Sequence, residues 1–313
     1  AMTSTVLNLT LRPVVGFRFQ PTGFPDLGAA TYQAHVSGEG WVQALHLESP
    51  QSMANRLELC TWDPAANDQA EALRGLPYVR VVDAGGGFLT SSRLEAHRLA
   101  SAYLMDAKID GETGRVWLED RLGLVKGRLV DHRALAKAIF DLDPVSLIHG
   151  VFFAQKQWPS QPKIARAITC FIDALDVRPA VSGGVKTDSV NPSNDEGRGA
   201  KEGYGMVPHQ RVEYTARDIT ASVVVDHGQI KSYGLGEKSE AVLNALVDFE
   251  LASLFRQDGL RLRTACHLVV DQDCEDLAKI PTLDEATAKL RQAIDQHGDL
   301  APISELKWTG GGK

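Results

Sequence analysis

Side chains that can donate hydrogen bonds to phosphate or sugar oxygens recur at three places in this sequence. The first is residues 49–60, which predict a helix with Ser at the N-cap and Pro at its first position. Projection at about 100° per residue groups Ser52, Asn55 and Arg56 in one polar stripe, apart from the apolar side. These residue types suit contacts with a nucleic-acid backbone. The stripe is either such a donor surface or a solvated helix face.

The second place is residues 163–176, where apolar residues repeat at the three- and four-residue spacing of a buried helical stripe. This pattern predicts a long amphipathic helix. Lys163 and Arg166 would project from its opposite side near the first turn, where the helix dipole is positive. We therefore expect both cations to attract an anion.

The third place is residues 177–221, a glycine-rich stretch with little apolar periodicity. Irregular segments of this length in compact proteins are usually functional or disordered. We interpret it as a loop and hairpin that grip a phosphate-rich polymer. Lys186 would contact phosphates, and Tyr204 and Tyr214 would be available for base stacking.

Catalytic patterns are weak. Residues 182–187 read SGGVKT, but a phosphate loop needs GxxxxGK[ST] between a strand and a helix, so a small-molecule phosphotransferase is disfavoured. His209 and Arg211 could form a ribonuclease-type pair, although no base is located beside them. His149 lies among apolar residues, where a histidine is more often a hydrogen-bonded core residue than a catalyst. Neither GxSxG nor HExxH occurs.

Composition fits a soluble protein with a local anion site. The 313 residues carry a net charge of −7, yet residues 121–186 contain 10 Lys and Arg against 5 Asp and Glu. No CxxC spacing occurs among the four cysteines, which predicts reduced thiols and no zinc site. The chain shows no signal-peptide pattern and no apolar run of the ~20 residues that span a membrane, so we expect a cytoplasmic protein without a membrane partner.

The elements that must position these residues alternate between strands and helices. Hydrophobic periodicity predicts strands at residues 6–15, 41–48, 78–84, 147–154, 219–225 and 260–270, and helices at residues 49–60, 92–105, 132–142, 163–176, 240–257 and 282–297. Residues 106–131 predict short strands joined by tight turns. The interleaving favours an α/β or α+β class with large insertions.

Long strings in this sequence also resemble one family. They run from about residue 11 to about residue 270, and read RFQPTGFPDLGAA, ESPQSMANRLE, DPVSLIHGVFF, KIARAITCFIDA, EGYGMVPHQRVEYTARDITA, and YGLG followed by GLRLRTAC. Together they resemble the guide-RNA-binding backbone subunit of type I-G (formerly I-U) CRISPR Cascade effector complexes, which belongs to the RAMP superfamily.

The resemblance implies an α+β, hand-shaped subunit with an RRM-like (ferredoxin-like) palm and inserted finger and thumb elements. Residues 1–270 would form the palm with its insertions, and residues 271–313 an acidic helical extension and tail. About 64–131 would be a finger-like region, and about 177–217 a thumb-like excursion.

The resemblance further implies a protein that is not an enzyme and uses no cofactor or metal. Copies would stack as a helical filament along the CRISPR guide RNA, contact other Cascade subunits, and support pairing of the guide with a target DNA strand in antiviral defence. The alternative that stays open is a RAMP-type endoribonuclease that processes precursor CRISPR RNA, with His209 or His149 as general acid or base.

A guide must be held whatever its spacer sequence, so its contacts should go to phosphate and ribose. On the strings that carry the resemblance, the implied RNA-binding residues are Arg18, Gln20, Ser52, Asn55, Arg56, Lys163, Arg166, Lys186, His209, Arg211 and Tyr214.

Overall fold

Helices and strands are interleaved along the chain, which confirms a mixed α+β class. The computed structural model describes residues 3–24, 28–190, 200–204 and 207–310. The helices are α1 (Pro50–Leu59), α2 (Ala102–Asp106), α3 (Gly114–Arg121), α4 (His132–Leu142), α5 (Val145–His149), α6 (His227–Ser232), α7 (Glu237–Phe255) and α8 (Leu283–His297). The strands are β1 (Ser4–Pro13), β2 (Gly23–Phe24), β3 (Gly28–Ala29), β4 (Thr31–Val36), β5 (Gly40–Glu48), β6 (Trp62–Asp63), β7 (Asp68–Gln69), β8 (Val79–Val82), β9 (Phe88–Ser91), β10 (Lys108–Ile109), β11 (Glu112–Thr113), β12 (Val151–Phe152), β13 (Lys163–Ile164), β14 (Ile168–Leu175), β15 (Arg178–Lys186), β16 (Val207–Thr215), β17 (Asp218–Asp226), β18 (Leu260–Arg263), β19 (Cys266–Val270) and β20 (Ser304–Lys307).

Seven strands form the largest sheet, in the order β18-β19-β1-β17-β14-β5-β4. All neighbours in it are antiparallel. Its central strands and two helices follow one another along the chain as β1, α1, β14, β17, α7 and β19, a β-α-β-β-α-β succession. Helix α1 packs against β14 and against α7, so the two helices cover the same face of the sheet.

The predicted helix at residues 163–176 is wrong, because most of this segment is strand β14. Burial along β14 alternates strictly, and Ile168, Cys170 and Ile172 are buried on one face. Phe171 and Leu175 on the other face are half-buried rather than exposed, so the segment also carries apolar residues at helical spacing. Isoleucine and threonine favour the strand, and pairing with β17 and β5 decides between the two patterns.

Two further predictions around this region are wrong. Residues 92–105 form turns, a short 3₁₀ helix at Arg98–Ala100 and then α2, and Arg98 has a φ of 49° that no α-helix tolerates. The predicted strand at residues 147–154 is instead the end of α5 followed by β12. Gly150 joins them with a φ of 78°, and a Cβ there would lie 2.8 Å from the carbonyl oxygen of Ile164.

The helix predictions with strong local capping signals are confirmed. The Ser49 hydroxyl accepts the backbone N–H of Ser52 at the start of α1. Asp131 caps α4 in the same way, and Thr282 begins α8 with a capping box. Helix α7 and strands β1, β5, β8 and β17 also lie where the periodicity places them. The single strand predicted at residues 260–270 is the hairpin of β18 and β19, and strands β4 and β20 were not predicted. Residues 106–131 contain the predicted short strands as β10 and β11, but helix α3 follows them, so the prediction is wrong for that part.

The C-terminal segment packs against the rest of the chain at two places. Helix α8 lies against α7, and β20 pairs in parallel with β8 in a second sheet of order β11-β10-β20-β8-β9. Strands β15 and β16 form a hairpin inserted between β14 and β17, which confirms the predicted hairpin. The string SGGVKT lies largely within β15 rather than in a phosphate loop. In the described ranges no helix is long and apolar enough to cross a membrane.

One fully buried ion pair joins the segment after β9 to the end of α4. Arg93 Nε lies 3.3 Å from Asp143 Oδ1, and both side chains are at most 1% exposed. The Ser92 hydroxyl donates to the same carboxylate at 2.7 Å, and Arg93 also donates to Gln69 at 3.0 Å. A buried carboxylate with this many donors fixes the geometry of its neighbours.

We predict that Asp143→Ala lowers the free energy of unfolding by about 3–5 kcal/mol, because it leaves the buried Arg93 without its counter-charge. Asp141→Ala, two residues away, is the matched control. Asp141 pairs with the exposed Lys137, so its loss should cost less than about 1 kcal/mol. Urea denaturation measures both; equal costs for the two variants would contradict a structural role for the buried pair.

Candidate nucleic-acid interface

A cleft of about 600 Å³ opens beside the start of β14. Its lining comes from Gln51 in the first turn of α1, from residues 96–98 and from the residues around β12 and β13. Lys163 and Arg166 both line this cleft. The structure therefore brings together the two cations of the second sequence group, although by strand pairing rather than by a helix.

Pairing between β12 and β13 places Lys163. The register sets Phe152 opposite Lys163, and the Lys163 ammonium lies 5.9 Å from the centroid of the Phe152 ring. Lys163 is exposed, and Arg166 is half-buried three residues later. Neither cation forms an ion pair with a carboxylate among the described residues. Both charges are therefore available to an anion in the cleft.

A third cation in the cleft, Arg98, already has a partner. Its Nε and Nη2 donate to the two carboxylate oxygens of Glu58 on α1, at 2.5 and 2.6 Å, and its Nη1 donates to the Gly150 carbonyl at 3.1 Å. Burial lowers the pKa of Arg166, and the nearby Arg98 lowers it further, while Glu58 acts in the opposite direction. A guanidinium stays charged at neutral pH, so an anion beside Arg166 would relieve this repulsion.

His149 forms part of the cleft wall and is bonded inside the core, which confirms the interpretation as a hydrogen-bonded core residue. Its Nε2 lies 2.8 Å from Glu250 Oε2, and both side chains are fully buried. Burial opposes the charged imidazolium, but the Glu250 and Glu58 carboxylates outweigh it, so the pKa of His149 is raised. In the described ranges no group of three or more His, Cys, Asp or Glu could hold a metal ion.

A second group of predicted residues meets at the base of the hairpin. Glu213 lies between Arg18, at 3.3 Å, and Arg211, at 3.8 Å, and it accepts a hydrogen bond from the Ser182 hydroxyl. The backbone of Tyr214 exchanges two hydrogen bonds of 2.9 Å with Phe19 of the first loop. The first loop therefore packs directly on β16.

Gln20 and Arg56 both form hydrogen bonds with residues of strand β18. The Gln20 carbonyl accepts a hydrogen bond from Arg263, and Arg263 also pairs with the buried Glu48. Arg56 shares that carboxylate at 3.4 Å and donates to the Leu262 carbonyl at 2.6 Å. The guanidinium of Arg56 thus has protein partners already.

The other predicted residues lie apart from these contacts. On α1, Asn55 is exposed and Ser52 is half-buried. Lys186 is exposed at the end of β15 that lies furthest from Arg178, opposite Val207. The backbone of His209 pairs with that of Gly184, and its side chain lies outside the described residues.

Sequence reasoning missed polar and aromatic residues that line the cleft, among them Gln51, His97, Arg98 and Phe152. His97 and Gln51 are exposed and polar. The helix predicted at residues 92–105 concealed the position of His97. Phe152 had a usable signal, because it is flanked by residues that a strand would bury.

This chain matches one protein-family model. The model of the family described as CRISPR-associated protein GSU0053 matches residues 5–179, which is more than half of the 313 residues. The chain belongs to this family. In this GSU0053-family protein the matched segment contains every residue that lines the cleft, whereas strand β16 of the hairpin lies beyond it.

Two solved structures resemble the GSU0053-family protein distantly. The crystal structure of Thermofilum pendens Csc2 has 10% sequence identity and a TM-score of 0.33, covering 95% of this chain and 78% of that one. A chain of a "CRISPR RNA-guided surveillance complex, pre-nicking" has 11% identity and a TM-score of 0.38, covering 80% of this chain and 68% of that one. Both TM-scores are too low for either likeness to bear on fold or function. No curated protein sequence matches the chain.

The buried pair beside the cleft predicts a pH dependence of stability. The pKa of His149 is raised in the folded protein above the ordinary histidine value of 6.5. Its contribution to stability is therefore fully present below pH 6.5 and is lost as the pH rises through the folded pKa. We expect the free energy of unfolding of the wild type to fall relative to that of Glu250→Gln over this window, by about 1.4 kcal/mol per pH unit for one proton. Denaturant titrations from pH 6 upward measure this difference; parallel pH curves for the two proteins would contradict the charged pair.

Proposed function

We propose that this GSU0053-family protein is a non-catalytic CRISPR RNA-binding subunit of a type I-G Cascade effector complex. Copies stack as a helical filament along the guide RNA and contact other Cascade subunits. The assembly holds the guide so that it can pair with a target DNA strand. The protein works in the cytoplasm, without a cofactor.

The topology of the large sheet supports an RRM-like palm. The succession β1, α1, β14, β17, α7 and β19 gives a sheet order of fourth, first, third and second strand, which is the arrangement of a ferredoxin-like fold. We assign the hairpin of β15 and β16, which lies along the chain between the second and third palm strands, to the thumb. We assign the smaller sheet around β8, in which β20 pairs with β8, to the finger-like region.

The observation that carries the proposal is the cleft with two cations that have no carboxylate partner in the part of the chain that the structure describes. Lys163 and Arg166 line one concave surface, and Gln51 and His97 add further polar groups to it. Cations and neutral donors of this kind bind phosphate and ribose without reading base sequence. A subunit that holds guides of any sequence requires such contacts.

We predict that the double variant Lys163→Ala, Arg166→Ala binds single-stranded RNA more weakly than the wild type, by the same factor for unrelated sequences. The slope of log K against log salt should fall by about 0.7 for each lost phosphate contact. Fluorescence anisotropy with labelled RNA at several salt concentrations measures both quantities.

A charge-matched control removes Lys289 and Arg291 from α8. Both already pair with carboxylates, of Asp248 and Asp295, and neither lines the cleft. This control should keep the affinity and most of the slope. An unchanged affinity and slope in the cleft variant would remove the cleft from the RNA-binding surface and overturn the proposal.

The proposal also predicts that the purified protein leaves labelled CRISPR repeat RNA intact, with or without divalent metal. The burial of His149 and its bond to Glu250 support this expectation, because a general acid or base must reach the substrate. Gel electrophoresis after incubation measures it. Defined cleavage that disappears in a His149→Ala or His209→Ala variant would favour the endoribonuclease instead.

A further inference from the structure

Phe152 is an aromatic side chain that strand alternation turns out of the core. Its neighbours Val151 and Phe153 are 4% and 0% exposed, whereas Phe152 is 49% exposed. Phe153 packs edge-on against Trp158, with ring centroids 4.9 Å apart. Phe153 therefore contributes to the core, and Phe152 does not. Burial therefore does not explain the large ring of Phe152.

The ring lies in the cleft beside a cation. Lys163 is the cross-strand partner of Phe152, with its ammonium 5.9 Å from the ring centroid. Small residues also line the cleft. These are Ala96, Gly150, Ala154 and Ala165. Small side chains leave room for a planar group against the ring.

An aromatic face and a cation side by side match the two parts of a nucleotide. A base can stack on an aromatic ring whatever its identity, and the adjoining phosphate can contact a lysine or arginine. In an A-form duplex the bases stack on one another and proteins read mainly phosphates and 2′-hydroxyls, so the ring would find no free base face. The pairing of Phe152 with Lys163 therefore selects a single strand with an exposed base.

We propose that Phe152 is a base-stacking residue of the cleft, and that the ligand recognised there is single-stranded RNA through one unstacked base and its adjoining phosphate. This inference rests on the proposed function, because it assigns a second contact to the same RNA site. It adds that the cleft distinguishes single strands from duplexes and from phosphate backbones without bases.

The test measures binding of fluorescein-labelled RNA to purified wild type and Phe152→Ala protein. Three probes of equal length are used: a single strand, a duplex, and an oligonucleotide with abasic sites throughout. Phe152→Ala should lower the affinity for the single strand about 5- to 150-fold. It should leave the affinities for the duplex and the abasic strand unchanged, and it should leave the salt slope unchanged because no charge is removed.

Graded substitutions separate stacking from bulk. Phe152→Tyr and Phe152→Trp keep an aromatic face and should bind the single strand like the wild type, whereas Phe152→Leu keeps apolar volume and should bind weakly. Trp41→Ala is the control for loss of an exposed aromatic, since Trp41 is 70% exposed and does not line the cleft. Thermal unfolding checks that each variant folds. If Phe152→Ala does not fold, Phe152→Leu is used in its place.

The outcomes distinguish this inference from the function on which it rests. If Phe152→Ala and Phe152→Leu bind the single strand like the wild type while the Lys163 and Arg166 double variant binds weakly, the cleft holds backbone only and the stacking role is wrong. Equal losses on all three probes would likewise contradict stacking. If the double variant binds normally, the proposed function itself fails.

Discussion

One guanidinium joins three segments around the cleft, namely helix α1, the turn at Gly150 and the segment that carries Arg98 itself. Arg98 donates to both carboxylate oxygens of Glu58 on α1 and to the carbonyl of Gly150, which begins the turn into β12. Its own backbone has a φ of 49°, a conformation that persists only where the surroundings impose it. Because Arg98 and Glu58 are both nearly buried, losing either partner would leave a buried charge uncompensated, and the three segments would lose their common attachment.

Ion pairs of this kind decide which cations remain available to a ligand. Glu58 compensates Arg98, Asp143 compensates Arg93, and Glu48 is shared by Arg56 and Arg263. Lys163 and Arg166 are left without carboxylates in the described part of the chain, and Arg98 adds repulsion at Arg166. An acidic protein can therefore present a local anion site, because none of the described carboxylates pairs with Lys163 or Arg166. Net charge alone does not show this division.

The sequence predicts elements well where the deciding interactions are local. Caps at Ser49, Asp131 and Thr282 begin three helices, and each cap acts within three residues. The prediction from sequence fails at β14, because the spacing of its apolar residues fits both a helix and a strand. Only pairing with β17 and β5 decides between the two. The prediction fails again after β9, because the path of Arg93 and Arg98 depends on carboxylates that lie 50 and 40 residues away.

The candidate site shows the same limit. Lys163 and Arg166 were predicted as anion ligands from a helix that does not exist, and they meet in the cleft because β13 pairs with β12. Residue type was sufficient to single them out, but their geometry was not predictable. His97 joins them through a turn that no local pattern predicts, whereas the outward position of Phe152 follows from alternation with its buried neighbours. Arg56 has a suitable type for RNA contact, yet its partners Glu48 and Leu262 are visible only in three dimensions.

RNA in the cleft is tested most directly by electron microscopy of the protein purified from cells that also express a CRISPR array. We expect filaments that contain RNA, with phosphates of the strand against Lys163 and Arg166 in each copy. Particles that contain RNA bound elsewhere, with the cleft empty, would contradict the assignment of the site. Particles that form without RNA would contradict the proposed function as a whole.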